Sequence, residues 1–531
     1  MDQSSKIKCA KPYRKLLLRC GILASIACLA SCSNAQERAE KHAATAMMYA
    51  NAGNFAEARV SLLKAVAERD DIASQWQFLG QVELQLGHIS EALSAYSHVL
   101  ELDAVNVEAL QLVTELSFQV GDTRKATATA DRILALDPAS TRALLVKGLV
   151  ALDQKRLVEA NQYAAAILEI DPKDEFGLVL KARALAKNGA FQEAVKTIND
   201  NIPVEVRTEA TLGTLIEIYR IIGDGKNIVP TFDLMIAKRP KDIALKVDFA
   251  EILYKVGDSA RARALIFQQL RERPEDIELI KNVGKLWVEN DPMPLSAAQI
   301  LEVAENGSMT MRVGIARHML ALKNVKAAAL IVKPVVNNDD VATADARAIL
   351  ATTLFENGDV STAKSIADQV ISEDSGNVDA LLLRARIGLV RGKLQAAYND
   401  AQVIVRDYPD NEAGRMLSAD IFLKRGEAYR VRQAYEDALN YMPQSIIMAQ
   451  KYADYLFDVG DKVRAVQVVR QFTLHNPSLL AGWKTLSAIC QKSGDMRCVS
   501  EAAKGQTAAA GTFVVDVRPG IIRSRGLFGR L

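Results

Sequence analysis

The residue types that most often perform catalysis or bind metal ions are scarce in this chain of 531 residues. None of its five histidines belongs to an HExxH motif, and none is predicted to bind a metal ion; they are His42, His88, His98, His318 and His475. The phosphate-binding loop GxxxxGK(S/T) and the nucleophile motif GxSxG are also missing. The sequence therefore predicts no catalytic, cofactor-binding or metal-binding residue, and we expect the protein not to be an enzyme.

The chain also lacks an excess of one charge. It has 66 Lys and Arg residues and 64 Asp and Glu residues, and six of the basic residues lie within 1–31. Residues 32–531 are left with 60 basic and 63 acidic residues. Proteins that bind nucleic acid need a basic surface for the phosphates. The sequence therefore argues against nucleic acid as the main partner.

The apolar run at residues 20–30 is too short for a membrane span, which needs ~20 residues. It follows a basic segment that ends at Arg19, and this order is typical of a secretory signal peptide. We therefore predict a signal peptide over residues 1–31. The run closes on the tetrapeptide Leu29-Ala30-Ser31-Cys32.

This tetrapeptide resembles the lipobox of bacterial lipoproteins, which implies that Cys32 is acylated after cleavage and that 32–38 is a lipidated linker. Two or more acyl chains hold a protein stably on a membrane, whereas one chain holds it only marginally. Because Ser33, and not aspartate, follows the cysteine, the resemblance favours the outer membrane, with the protein facing the periplasm. Three alternatives stay open: retention in the inner membrane, cleavage by the ordinary signal peptidase, and an uncleaved cytoplasmic terminus.

Past residue 38, three sequence marks, a glycine, an alanine and a proline, recur with a period of 34 residues. Only 6% of the chain is aromatic, and a composition dominated by alanine and leucine is typical of close-packed helices. Glycine supplies a left-handed turn between two helices, a small alanine lets them approach closely, and proline ends the second helix. The marks are Gly53, Gly87, Gly121, Gly189, Gly223 and Gly257, the alanines Ala58, Ala92, Ala126, Ala160, Ala194 and Ala262, and the prolines Pro138, Pro172, Pro240 and Pro274.

These marks resemble the tetratricopeptide repeat, with the fullest match in the second unit at Trp76, Leu79, Gly80, Gly87, Ala92 and Tyr96. The resemblance implies an all-α superhelical solenoid of about fourteen helix-turn-helix units. The units begin near residues 39, 73, 107, 141, 175, 209, 243 and 277, and after a slip of one residue near 310, 344, 378, 412, 446 and 480.

The register weakens in the eighth unit, where the turn reads ENDPMPLSAA and Asn324 takes the next turn position. We therefore predict an N-terminal array over 39–276, an irregular repeat or hinge over 277–309 and a C-terminal array over 310–511. The last segment, 512–531, is basic and is predicted to be a disordered tail, or alternatively a segment that adds a strand to a partner or touches an anionic surface.

Two cysteines remain beyond the predicted signal peptide and Cys32. Cys490 and Cys498 lie four residues on either side of the turn glycine Gly494, on the two helices of one hairpin. An antiparallel pair of helices can bring such side chains within disulfide distance, and an oxidising compartment preserves the bond. We expect a disulfide that stabilises the last repeat, with two free buried thiols as the alternative.

The resemblance implies a concave groove formed by the first helix of each unit, chiefly by its second, fifth, ninth and twelfth positions. Apolar side chains with both signs of charge suit an extended peptide or a partner helix, although any one of them can instead pack within the array. The Lys and Asn set of the carboxylate clamp is not visible. The groove candidates are Arg142, Phe176, Arg183, Glu217, Arg220, Glu251, Tyr254, Phe355, Arg386, Asp420, Asp454 and Phe457.

Together these features resemble the tetratricopeptide-repeat lipoproteins of Gram-negative envelopes, including those of PEP-CTERM and other exopolysaccharide export systems. The resemblance implies a protein-binding scaffold, held on the membrane by its N-terminal lipid, that helps an envelope export machine to assemble or work. Two alternatives stay open: a periplasmic holdase or assembly factor for outer-membrane or pilus proteins, and a regulator of peptidoglycan enzymes. The oligomeric state and the identity of the partners are not encoded in these patterns.

Overall fold

A computed structural model describes residues 34–336 and 344–514 of the chain. The predicted signal peptide, Cys32 and all but the first three residues of the predicted tail lie outside the described residues. Over the described ranges the chain is entirely helical, without a strand, and its α-helices follow one another as antiparallel hairpins. The predicted all-α solenoid of about fourteen units is confirmed, since the described helices number 28, two for each unit.

The helices of units one to seven have the following bounds: α1 34–51, α2 Phe55–Glu68, α3 Ala73–Gln85, α4 Ile89–Leu102, α5 Val107–Val120, α6 Thr123–Leu136, α7 Thr141–Asp153, α8 Leu157–Ile170, α9 Glu175–Lys187, α10 Phe191–Asn199, α11 Glu209–Ile222, α12 Gly225–Lys238, α13 Ile243–Lys255 and α14 Ser259–Glu272. A 3-10 turn, Val204–Val206, precedes α11.

The helices of units eight to fourteen are α15 Ile277–Asn290, α16 Ala297–Asn306, α17 Met309–Ala321, α18 Val325–Val332, α19 Ala344–Glu356, α20 Val360–Glu373, α21 Val378–Val390, α22 Leu394–Asp407, α23 Glu412–Arg425, α24 Ala428–Tyr441, α25 Ile446–Asp458, α26 Lys462–His475, α27 Leu480–Ser493 and α28 Met496–Ala510. A 3-10 turn, Lys333–Val335, follows the shortened α18.

The turn inside nearly every hairpin has a left-handed backbone, as the 34-residue glycine period predicts. Glycine adopts positive φ at this position in eleven hairpins, and Lys155 does so in the fourth with φ 58°. In the ninth hairpin the prediction was wrong by one residue, because Lys323 has the positive φ of 62°. Asn324 instead caps α18, where its side chain accepts a hydrogen bond from the amide of Ala327. The turn therefore tolerates lysine at a steric cost that glycine avoids.

The recurrent alanines hold the two helices of a hairpin close together. Ala58, Ala92, Ala126, Ala160, Ala194 and Ala262 are all fully buried. In the second hairpin Gly80 of α3 serves the same purpose, since a Cβ there would lie 2.6 Å from the ring of Tyr96 on α4. Small residues on one helix thus make room for a large side chain on the other.

The eighth hairpin departs from this geometry. Six residues, 291–296, separate α15 from α16, and Asp291 anchors them through both oxygens to the guanidinium of Arg263 at 2.6 and 2.8 Å. Asp291 also accepts a hydrogen bond from the amide of Met293. Although burial opposes the charged form, these donors lower the pKa of Asp291 below its usual value.

The described chain divides into two compact units, with the boundary after Thr214. The first contains residues 34–214 and the second contains 215–336 and 344–514. The predicted boundaries at 276, 309 and 511 stay predictions. Within the second unit, the end of the described chain returns to its beginning: the hydroxyl of Thr512 and the amide of Phe513 both donate to the carbonyl oxygen of Arg220, at 2.9 and 2.7 Å.

Candidate protein-binding groove

In the first unit, three groove candidates lie on α7 and α9, and they differ in exposure. Arg142 is exposed and pairs with Glu115 of α5 at 2.6 Å. Phe176 is 39% exposed, which is unusual for a phenylalanine and leaves its ring accessible. Arg183 is only 6% exposed. Two of the three therefore offer surface to a partner, and Arg183 is part of the packed interior.

In the second unit, three candidates near its start are buried, namely Arg220, Glu251 and Tyr254. Arg220 is 2% exposed, pairs with Asp248 at 2.6 Å and lies over the ring of Phe232. Glu251 pairs with Lys255 at 3.3 Å in the next turn of α13. Buried ionised groups are stable only when paired in this way. These side chains hold the array together and have little surface to offer a partner.

Tyr254 is the last of these three, and the next hairpin covers it. It is 8% exposed, and burial, together with the charge of Asp291, raises the pKa of its hydroxyl above its usual value. The sequence periodicity assigned Tyr254 to the groove, whereas the structure places it against the anchored segment 291–296. Its predicted role in direct partner binding has no support from its position.

The other six candidates are partly exposed. They are Glu217, Phe355, Arg386, Asp420, Asp454 and Phe457. Burial raises the pKa of the Asp420 carboxyl, and the charge of Lys451 opposes this. Asp454 lies 3.6 Å from Lys492, and the ammonium of Lys462 lies 5.9 Å from the centre of the Phe457 ring. Their use by a partner stays a prediction.

A cation that links three successive hairpins was missed by the sequence analysis. The guanidinium of Arg317 on α17 contacts Asp345 of α19 at 2.9 Å and Asp379 of α21 at 2.6 Å. Burial disfavours its charge, but the two carboxylates outweigh this and raise the pKa of Arg317. The sequence does contain a signal for this contact, because the two aspartates are 34 residues apart, at the second position of their repeats.

Two cavities flank Arg317. One, of about 230 Å³, is lined by Leu320, Ile349, Glu356, Leu382 and Arg386, among others. The other, of about 320 Å³, is lined by Ile280, Val313, Gly314, His318 and Asp345, among others. Arg386 is thus the groove candidate that the structure places beside a concave, mainly apolar surface with charges of both signs.

The ring of His318 is fixed in the wall of the larger cavity. Its Nε2 donates to the carbonyl oxygen of Ile280 at 2.9 Å, and a Cβ at Gly284 would lie 1.8 Å from the ring. Burial, assisted by the nearby charge of Arg317, lowers the pKa of His318 to about 4. The imidazole is therefore neutral at physiological pH, and it serves packing and hydrogen bonding.

The last hairpin brings the two remaining cysteines together. The Sγ atoms of Cys490 on α27 and Cys498 on α28 lie at bonding distance, and the Cα atoms are 5.6 Å apart, within the range of disulfides. Gly494 between them has the left-handed backbone of the predicted turn. Formation of this bond in the cell stays a prediction.

Within 34–336 and 344–514, no three His, Cys, Asp or Glu side chains form a cluster that could bind a metal ion. In the same ranges, no helix combines the length and the apolar character of a transmembrane segment.

Comparison with known families agrees with this architecture. Two family models described as tetratricopeptide repeats match the chain, one at residues 117–175 and 350–412 and the other at 74–106. The matched segments coincide with hairpins of the array. The chain is thus a tandem array of helical hairpins, and the matched segments are similar to tetratricopeptide repeats.

Several solved structures resemble the chain at low identity. A tetratricopeptide repeat protein from Parabacteroides merdae is 18% identical, with 60% of this chain and 99% of that chain covered and a TM-score of 0.28. PilF of Pseudomonas aeruginosa is 18% identical, with 40% and 96% covered and a TM-score of 0.30. MamA from Desulfovibrio magneticus is 15% identical, with 32% and 95% covered and a TM-score of 0.29.

Similarity at this level supports no argument about function. Comparison with curated protein sequences finds no match.

Proposed function

We propose that the protein is a membrane-anchored scaffold that holds partner segments in its groove and so assists an envelope export machine for exopolysaccharide. The observation that supports a binding role is the tandem array of hairpins, whose partly exposed groove residues include Arg386 beside an apolar cavity. The lipid anchor rests on the lipobox at Cys32, which lies outside the described residues. The export pathway rests on the resemblance to envelope lipoproteins of similar architecture.

Crosslinking in the cell tests the scaffold. A photoreactive residue replaces Arg386 in the full chain, and Leu474, an exposed residue of the second helix α26, serves as the matched control position. We expect a small, fixed set of envelope proteins to crosslink at 386 and not at 474. A broad set of unfolded outer-membrane proteins would instead establish the holdase alternative. Recovery of no envelope protein at 386 would refute the scaffold.

Fractionation tests the anchor independently. We expect Cys32→Ser to leave the fold intact and to release the protein into the soluble periplasm, or to leave an unprocessed precursor in the membrane. The fold of the variant is checked by circular dichroism. If the variant still fractionates with the outer membrane as mature protein, the proposed lipid attachment is wrong.

A further inference from the structure

Four of the most exposed apolar side chains of the described chain lie at consecutive turns of its last four hairpins. Val390, Tyr429, Val463 and Met496 are 73%, 78%, 71% and 73% exposed, and among the described residues only two other large apolar side chains reach 70%. Each of the four stands within three residues of the turn glycine of its own hairpin. We define the turn edge as residues 389–396, 423–430, 457–464 and 491–498.

Contacts within the second unit show that the first three of these turns lie side by side. The guanidinium of Arg425 donates to the carbonyl oxygen of Leu394, one turn earlier, at 3.0 Å. The next junction is closed by an ion pair of 3.0 Å between Arg432 and Asp461. The stacking of successive hairpins therefore arranges the exposed apolar side chains in a row along one edge.

The turn edge is also strongly basic. Its four segments contain nine Lys and Arg residues and four Asp and Glu residues. Arg391, Lys393, Lys424 and Arg497 are exposed, and none of them forms an ion pair with another described residue. Arg425 and Arg430 share Glu427, at 3.7 and 3.3 Å, so their charges are only partly neutralised.

The opposite edge of the same hairpins has no cation in its loops. These loops, at residues 373–379, 407–413, 441–447 and 475–481, contain no Lys or Arg; the first two hold six Asp and Glu residues, and the last two hold none. This edge also exposes large side chains, including Tyr408 at 47% and Tyr441 at 60%. Exposed apolar surface alone therefore does not distinguish the two edges, but charge does.

We infer that the turn edge is a binding surface for the anionic headgroups of a phospholipid bilayer. Cations near an anionic membrane bind the phosphates, and apolar or aromatic side chains between them enter the boundary between headgroups and acyl chains. Tyr429, with its apolar ring and polar hydroxyl, is suited to that boundary. The opposite edge has no Lys or Arg in its loops to bind the phosphates, and this difference fixes the orientation of the last four hairpins on the surface.

Other occupants fit the turn edge less well. The C-terminal segment 515–531 has four arginines and one aspartate, so its charge does not complement a basic edge. A second copy of the same edge would be repelled for the same reason. The exposed apolar side chains also stand one or two to a turn with cations between them, Leu423 and Val459 being the second members, unlike the continuous apolar centre of a protein interface. The inference does not depend on the lipid anchor at Cys32.

Sedimentation with vesicles tests the inference, using the full chain so that residues 1–33 contribute equally to every variant. The charge variant is Arg391→Gln with Lys424→Gln and Arg497→Gln. The apolar variant is Tyr429→Ser with Val463→Ser and Met496→Ser. The control is Tyr408→Ser with Leu474→Ser, two exposed residues outside the turn edge.

Vesicles of phosphatidylglycerol are compared with vesicles of phosphatidylcholine. We expect the charge variant to lose binding to the anionic vesicles about tenfold or more, since each cation near such a surface contributes a factor of roughly five. The apolar variant should lose binding to a similar extent, and the control should bind as the unmodified chain does. If both variants bind as tightly as the control, the inference is wrong.

A second measurement locates the contact. Tyr429→Trp adds a tryptophan on the turn edge, and Val158→Trp adds one at an equally exposed position of α8. With anionic vesicles whose acyl chains carry bromine, we expect the added fluorescence to be quenched at 429 and not at 158. Equal quenching at both positions, or quenching at neither, contradicts the proposed contact between the turn edge and the bilayer. A protein partner would then be the remaining occupant of this edge.

Discussion

The amide of Phe513 donates a hydrogen bond of 2.7 Å to the carbonyl oxygen of Arg220, so the end of the described chain is held against the last turn of α11. The hydroxyl of the preceding Thr512, 292 residues from Arg220 in sequence, donates to the same oxygen. Carbonyls in the last turn of a helix lack partners within the helix, and the terminal segment supplies them here. Gly223 permits this approach, because a Cβ there would lie 2.5 Å from the carbonyl oxygen of Gly511.

We predict that Gly223→Ala destabilises the second unit more than Gly257→Ala does. Both glycines have positive φ, so alanine costs about 1–2 kcal/mol of unfolding free energy at either position. At Gly257 no other atom lies within 4 Å of the added Cβ, whereas at Gly223 the Cβ collides with the backbone of Gly511. The collision should add roughly 1–3 kcal/mol. Urea unfolding measures the difference, and equal losses would show that the terminal contact does not form.

Reduction of the Cys490–Cys498 pair should loosen the last hairpin selectively. The cysteines are separated by 8 residues, and closing so short a loop stabilises by about 2–3 kcal/mol in the chain-entropy description. We expect amide hydrogens of α27 and α28 to exchange faster after reduction, or in the double variant Cys490→Ala with Cys498→Ala. Amides of α21 and α22 should be unaffected and provide the control. Unchanged exchange in α27 and α28 would mean that the bond is absent or contributes nothing.

Acid should destabilise the second unit between about pH 6.5 and pH 4 because of His318. Its pKa is lowered to about 4 in the folded chain, so the unfolded chain binds a proton over this range that the folded chain does not. Stability is therefore complete above pH 6.5 and falls with pH, by up to about 3 kcal/mol at 1.4 kcal/mol for each pKa unit.

The variant His318→Gln isolates this effect. Glutamine keeps a donor for the carbonyl oxygen of Ile280 but does not titrate, so we expect a lower stability at pH 7 and a flatter dependence on pH. Urea midpoints at pH 7, 6, 5 and 4 provide the comparison. A dependence as steep as that of the unmodified chain would assign the acid effect to other groups.

The two lysines with left-handed backbone mark positions where glycine should be preferred. We predict that Lys155→Gly stabilises its hairpin by about 0.5 kcal/mol, since relief of the left-handed strain exceeds the greater freedom of glycine in the unfolded chain. Gln154→Gly is the matched control, because Gln154 has φ −83° and gains no relief. It should lose about 0.5–1 kcal/mol. A loss at both positions would show that the turn at Lys155 is not strained.

Much of the fold could be predicted because each hairpin is a local structure. The turn, the close helix contact and the helix end each depend on residues within one period of 34, so their recurrence indicates the number and the order of the hairpins. The irregular eighth unit was visible for the same reason, through Pro292 and Pro294. The single misplaced turn, at Lys323, arose because lysine has no marked preference for a left-handed backbone.

The groove could be predicted only in part. The resemblance assigns a residue to the predicted groove by its position in the repeat, but the next hairpin decides whether that residue is covered. Arg220 and Tyr254 are buried by contacts with Asp248 and with the segment at Asp291, which lie about one repeat later or more. The sequence analysis missed Arg317 because Asp345 and Asp379 come into contact with it only when three successive hairpins stack.

The sequence by itself determined the class of the fold, the fourteen repeats and the turn glycines, since all of these follow from interactions within one hairpin. The tertiary structure decided which groove residues remain accessible, that Thr512 and Phe513 return to Arg220, and that exposed apolar and basic side chains form one edge. These features depend on how successive hairpins stack, and stacking brings together residues whose separation in sequence no local pattern records.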